Sequence, residues 1–293
     1  MTADDDMAKG RELKTRIKSV ENTRKITRTM EMVATSKMKR AQDRVAAARP
    51  YAQALRDVIA SLYSPELAER FPLLRQPAQV KRAAVVLLTA NRGLAGAFNA
   101  NLIKEARATL ARLEGEGITV DLHAVGKKGL GYFRYIGRAI ASSRTDIGDR
   151  PTAENAAELV NDLTAAFARG EIDAVYVIYP NFKSVLSAPP AAVQILPVQP
   201  PERGQKQLDY ILSPDAQTIL GELLPLYVRN AMYRALVEMT AAFYAAQRTA
   251  MKNATDNASD MLKVLGRTYN RARQASITQE IAEIVGGAAA LQG

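Results

Sequence analysis

Two short glycine-bearing stretches, "NRGLAGAFN" (91–99) and "GKKG" (126–129), are where the backbone of this chain could do chemistry. Each falls where an apolar run gives way to a helical pattern, and N–H groups in such a turn can cradle a phosphate. Neither has the spacing. Gly93 and Gly96 fit neither G-x-x-x-x-G-K-[ST] nor G-x-G-x-x-G, and "GKKG" is too short for a phosphate loop. The first stretch therefore reads as a tight strand-to-helix turn. The chain has no H-E-x-x-H and no G-x-S-x-G, and it lacks cysteine altogether, which excludes disulfides, thiolate metal sites and cysteine nucleophiles. Its one histidine, His123, sits in the strand-like "ITVDLHAV" and reads as a packed residue. A serine would find no triad partners. The expectation is a chain with no catalytic residues, no metal and no cofactor of its own.

Charge is the stronger signal. The 293 residues carry a formal net charge of +10, which admits nucleic acid, anionic lipid or an acidic protein as partner. Residues 9–49 hold 13 Lys and Arg against 4 Asp and Glu, and no aromatic residue at all. A nucleic-acid surface would place aromatics or base-reading amides among the cations. A basic coiled-coil protein that binds nucleic acid stays open as an alternative, but an acidic protein surface fits better.

The elements that must position these groups follow from periodicity. From Met30, the positions Ala34, Met38, Ala41, Val45, Ala48, Ala52, Leu55, Ile59 and Leu62 are apolar at spacings of 3 and 4, the pattern of a coiled-coil seam. Leu13, Ile17 and Val20 continue it upstream, predicting a helix of about 50 residues, roughly 75 Å at ~1.5 Å per residue. Pro50 should bend it locally. A second seam runs through Met232, Leu236, Met239, Phe243, Ala246, Ala250, Ala254, Ala258, Met261, Leu265, Tyr269 and Ala272. It predicts a helix from Asp215 of about 75 residues, with Pro225 near its start.

Between the two, the texture is strand alternating with helix. Strands are expected at 82–90, 118–125, 138–143, 172–180 and 184–197. Helices are expected to about Glu114, over "GKKGLGYFRYIG" and over 152–170, with Thr152 as N-cap and Gly170 as stop. The expected fold class is α/β plus long α, an antiparallel coiled coil of N- and C-terminal helices flanking a Rossmann-like α/β domain. The boundaries are 1–63 for the N-terminal helix, 64–213 for the α/β domain with its connections and 214–293 for the C-terminal helix. The acidic "MTADDD" is expected to be a disordered extension, with Met7 an equally good start. No run approaches the ~20 apolar residues of a membrane span, so a soluble intracellular protein is expected. The apolar, uncharged "VGGAAALQG" at the end fits inside a smooth apolar sleeve supplied by a partner.

Three stretches then carry a resemblance. "NTRKITRTMEMVATSKMKRAQ" and "YNRARQASITQEIAEIVGGAAAL" resemble the signature blocks of the γ-subunit family of F-type ATP synthases, and "NRGLAGAFN" resembles its central block. The likeness covers essentially the whole chain from Met7. It implies a central rotor shaft: a non-catalytic subunit that couples ion-driven rotation of a ring of c subunits to binding changes at the β catalytic sites. The implied partners are α and β subunits, an ε subunit and the c-ring, with no nucleic acid and with membrane association only through the complex. The implied place is peripheral, on the cytoplasmic face of a bacterial inner membrane.

Carried over position by position, the resemblance implies that Arg273 and Gln274 form a polar pair gripping a loop on β. Met30 and Glu31 face a β subunit, with Lys37, Lys39 and Arg40 as electrostatic neighbours. Ile284, Val285, Ala288, Ala289, Ala290 and Leu291 form the apolar tip, and Tyr210 the foot that meets ε and the c-ring. Two departures stand out. Asn91 and Ala95 replace the family's usual Asp and Cys, and Leu212-Ser213 replaces a common Tyr-Glu in the foot. The segment 197–209 is too short for a cysteine-bearing regulatory insertion, so thiol regulation is not expected.

Overall fold

The computed structural model describes residues 3–63, 70–199 and 215–292. Helix α1 covers Ala3–Leu62, opening inside the acidic start and running through Pro50 without interruption. There follow β1 (Arg82–Leu88), α2 (Phe98–Gly115), β2 (Thr119–Val125), α3 (Lys127–Tyr135) and β3 (Ser142–Arg144). Then come α4 (Ala153–Ala168), β4 (Ala174–Pro180), β5 (Pro190–Leu196) and α5 (Ala216–Gln292). The chain divides into two compact units, Met1–Val33 with Arg248–Gly293, and Ala34–Gln247.

The larger unit is built on a five-stranded sheet of order β3-β2-β1-β4-β5. The first four strands are parallel and β5 returns antiparallel to β4. Central β1 is buried from Ala83 to Leu88, as its unbroken apolar run requires of a strand covered on both faces. Side chains alternate across it. Ala83, Val85 and Leu87 face Leu102, Ala106, Leu110 and Leu113 of α2 and Phe133 of α3. Ala84, Val86 and Leu88 face Ala156, Val160, Leu163 and Phe167 of α4, and also Leu55, Ile59 and Leu62 of α1 with Leu220, Leu224 and Met232 of α5. The long helices are thus part of one face of the sheet. Further along, Ala34, Met38, Ala41 and Val45 of α1 pack with Val237, Ala241, Ala242 and Ala245 of α5. Rising numbers on α1 meet falling numbers on α5, so the pair is antiparallel.

Local chemistry sets the ends. Thr152 caps α4 through a box closed by Asn155, and Gly170 follows it at φ 76°. Asp215 caps α5, accepting from the backbone and hydroxyl of Thr218. Two strands are shorter than their sequence suggests. The third begins at Ser142, because Arg138 still closes α3 by donating to the Phe133 carbonyl. The fifth begins at Pro190, because Ser184 and Ser187 pair in a tight turn before it.

In the smaller unit the seam is made partly of hydroxyls. Thr27 and Thr255 are both buried and their Oγ1 atoms lie 2.8 Å apart, while Thr255 also donates to the Met251 carbonyl. Met251, Thr255 and Ala258 are the buried positions here. Met261, expected in the seam, is 53% exposed; Leu262 takes the less exposed place. A threonine whose hydroxyl bonds to its own helix packs through its methyl, so counting apolar letters alone misplaces the stripe.

Candidate functional site

The turn 91–99 is held by side chains and is not open as an anion cradle. Asn91 Nδ2 donates to the carbonyls of Thr145 (2.9 Å) and Ile147 (3.1 Å), while its Oδ1 accepts from Lys127 N at 2.9 Å. An amide offers two donors and an acceptor, where an ionised carboxylate only accepts, which gives a role to the residue that departs from the usual Asp. Asn99 Oδ1 takes the Ala90 N–H. Leu94 is held at φ 60°, in the left-handed region, and is 62% exposed.

Arg92, from the same turn, reaches Asp149 at 2.5 and 2.6 Å. Lys37 Nζ of α1 lies 2.7 Å from Oδ2 of that carboxylate, an oxygen it shares with Arg92, and Arg44 donates to the Asp149 carbonyl at 3.3 Å. Tyr244 of α5 completes the cluster, its hydroxyl 3.3 Å from both Lys37 Nζ and Arg92. Burial acts to raise the Asp149 pKa, but hydrogen bonds from Arg92, Lys37 and Tyr244 outweigh it and hold the carboxyl well below its usual range. Burial first, then the neighbouring Asp149 charge, pushes the Tyr244 phenol well up. Arg92, Asp149 and Tyr244 line a cavity of about 400 Å³ at the carboxyl ends of β1, β2 and β3, together with Thr89, Thr145 and Thr240. Nothing in it pairs a nucleophile with a base. Among the described residues no cluster of His, Asp or Glu could hold a metal ion. His123 is a bridging residue: Nδ1 meets Ser142 Oγ at 2.7 Å, tying β2 to β3, and burial lowers its pKa.

The residues singled out in the sequence fall into three places. Met30 and Glu31 are half-buried on α1. Lys39 is exposed and pairs with Asp43 at 3.0 Å, and Arg40 is exposed beside Ser36. Lys37 is different, since its ammonium is already engaged inside the chain. Arg273 and Gln274 are exposed on α5. So is the stretch beyond them: Ile277, Ile281, Ile284 (71%), Val285 (62%) and Ala288. Helix α5 runs on through 289–291, but the side chains of Ala289, Ala290 and Leu291 lie outside the described ones, as does Tyr210 with the rest of 200–214. Asp149, Arg92 and Tyr244 were not legible as a group, because they come from two connections and a helix with no spacing to link them.

Equal rise on paired helices locates the unpaired end of α5. Counting outward from Thr27 and Thr255, Ala3 at the start of α1 falls opposite Gln279. Among the described residues, Ile281, Ile284 and Val285 therefore extend past the start of α1. No helix among the described residues is long and apolar enough to cross a membrane.

Comparison with known proteins agrees with this architecture. A family model described as ATP synthase matches residues 9–291. An ATP synthase gamma chain from Gemmatimonas aurantiaca is 68% identical over 290 residues, covering 98% of this chain and all of the relative. One from Leptospira biflexa is 41% identical over 288 residues, covering 97% of this chain and all of its own. Among solved structures, a chain of the Euglena gracilis mitochondrial ATP synthase (OSCP/F1/c-ring) superposes with a TM-score of 0.68 at 20% identity, covering 97% of this chain and 95% of its own. A chain of the Tetrahymena thermophila central stalk and c-ring gives 0.59 at 23% identity, covering 78% and 99%. At that identity the superposition speaks for the fold, and the sequence relatives speak for the family. This chain belongs to the ATP synthase gamma-chain family.

Proposed function

We propose that this chain is the central rotor shaft of an F-type ATP synthase, turning inside a ring of three α and three β subunits. The observation that carries the reading is the unpaired apolar end of α5. Ile281, Ile284 and Val285 are exposed on the part of α5 that runs beyond the described residues of α1, and such a surface needs a covering supplied by another subunit. A smooth apolar end makes a bearing: it excludes water without directional bonds that would resist turning. Arg273 and Gln274, about two turns below it, supply the directional grip on β. Met30, Glu31, Lys39 and Arg40 belong to the basic stretch of α1, where an acidic β surface would meet them. Lys37 is not counted among them, because Asp149 holds it.

The shaft does no bond chemistry. By presenting different faces to three β subunits, it biases each between conformations of different nucleotide affinity. The α/β body carries the foot, including Tyr210, toward ε and the c-ring. The chain is peripheral to the membrane and reaches it only through the complex, on the cytoplasmic face of a bacterial inner membrane. Native mass spectrometry of this chain with the α and β subunits of the same organism, run beside an ATPase assay, tests the reading. An active complex of three α, three β and one copy of this chain is expected. Folded α and β subunits that leave the chain unbound would overturn it.

A further inference from the structure

If the chain is a shaft, torque between the α/β body and the helices must cross the packing that joins them. At one end Leu55, Ile59 and Leu62 of α1 and Leu220, Leu224 and Met232 of α5 pack on the sheet. Further along the helices the packing is rich in small apolar side chains, Ala34, Ala41, Ala241, Ala242 and Ala245. Contacts of this kind resist separation but have little directional preference, so they resist sliding and twisting weakly. Directional bonds at this end add the resistance to shear that such contacts lack.

One carboxylate gathers them. Asp149 lies in the connection between β3 and α4. It takes Lys37 of α1 at 2.7 Å and Arg92 of the β1–α2 turn at 2.5 and 2.6 Å, and its own carbonyl takes Arg44 of α1 at 3.3 Å. Tyr244 of α5 sits between the cations, 3.3 Å from each, with Lys37 Nζ 5.3 Å from its ring centre. The phenol is oriented in turn by an edge-to-face chain, Tyr244 on Phe243 at 5.2 Å and Phe243 on Phe98 at 5.6 Å. Both long helices and two loops at the carboxyl edge of the sheet therefore meet at a single residue. Charge-assisted bonds are short and angle-dependent, which suits them to carry shear.

We propose that Asp149 is a positioning residue that clamps α1 and α5 to the carboxyl edge of the sheet, so that the α/β body and the helices packed on it turn as one piece. The clamp rests on the shaft reading and deepens it. It gives Lys37 a role within the shaft, separate from the outward-facing cations Lys39 and Arg40.

The test reads torsional stiffness in the assembled complex. The chain has no cysteine, so a Tyr135→Cys variant carries one thiol, at a site 90% exposed on the α/β body. A bead fixed there, in a complex stalled without nucleotide, fluctuates in angle with a variance inversely proportional to stiffness. Asp149→Asn keeps the shape and removes the charge, and the variance should rise measurably, by up to about twofold, since charge-assisted bonds are roughly twice as strong as neutral ones. Val160→Ala, a buried α4 position away from the clamp, controls for general destabilisation and should leave the variance unchanged.

An unchanged variance in an Asp149→Asn complex that still hydrolyses ATP would overturn the clamp, as would an equal rise in the Val160→Ala control. Should Asp149→Asn fail to assemble, Tyr244→Phe removes only the hydroxyl. A smaller rise is then expected, and no rise overturns the proposal. A parent complex that assembles and hydrolyses ATP but never turns its bead would instead remove the shaft reading, and the clamp with it.

Discussion

Gly126 and Gly131 lie five residues apart, and the same substitution should act on them with opposite sign. Gly126 joins β2 to α3 at φ 95° and ψ 143°, a conformation L-residues rarely adopt, and a Cβ there would come within 2.0 Å of the Thr89 carbonyl oxygen and 2.8 Å of its Oγ1. That oxygen belongs to backbone at the end of central β1 and cannot swing aside. The Thr89 hydroxyl is also fixed, donating to the Val125 carbonyl and accepting from Gly129 N. Strain at such a backbone position costs about 1–3 kcal/mol, and forcing extra volume into packed structure about 1–3 kcal/mol more. Gly126→Ala should therefore destabilise by about 2–6 kcal/mol on these two terms together. Gly131 sits inside α3 with nothing within 4 Å of an added Cβ. Gly131→Ala should stabilise by about 0.5–1 kcal/mol through helix propensity. Urea unfolding of the purified chain, read as midpoint times slope, gives both values. A Gly126→Ala variant within about 0.5 kcal/mol of the parent would refute the geometry of this turn, where substitution is expected to cost several times that.

Other consequences can be checked alongside. Replacing Arg273 and Gln274 together by Ala should impair ATP synthesis while the complex still assembles; unchanged synthesis would take them out of the coupling path. Removing residues 290–293 should be tolerated better than Ala258→Pro, which puts proline in the interior of α5 at a buried position and costs about 3 kcal/mol or more. Greater damage from the trim would mean the end of α5 is gripped rather than sleeved. Asn91→Asp leaves the carbonyls of Thr145 and Ile147 without their donor and should cost about 1–3 kcal/mol; a neutral result would mean the amide is not the anchor. For pH, the Asp149 carboxyl is depressed in the folded chain, so its contribution is present above the unfolded pKa of about 3.9 and is lost as pH falls through the lower folded value. The stability gap between parent and Asp149→Asn should therefore be constant above about pH 5 and shrink as pH falls below about 4 toward the folded value, and a gap that stays constant down through that range would show that the pairing contributes nothing.

The parts legible in the sequence were those that repeat. All ten seam positions from Met30 to Leu62 are buried or half-buried on α1, because a 3-and-4 spacing of apolar residues has one helical solution. Strand β1 announced itself as an unbroken apolar run, and Thr152 as a cap. What the sequence hid depends on polar groups meeting from distant segments. Thr27 and Thr255 are 228 residues apart and became seam residues by bonding to each other and to their own helices. Lys37 pairs with Asp149, 112 residues away, with no spacing in the sequence to link them. Periodicity reports which face is buried, but it carries no information on which buried or half-buried polar groups find each other.

The central claim is that this chain turns. A bead fixed through Tyr135→Cys to a surface-anchored complex of three α, three β and one copy of this chain, supplied with ATP, tests it most directly. The shaft account predicts rotation in one direction, pausing three times per turn, once for each β site. A complex that hydrolyses ATP at full rate while its bead stays still would contradict it.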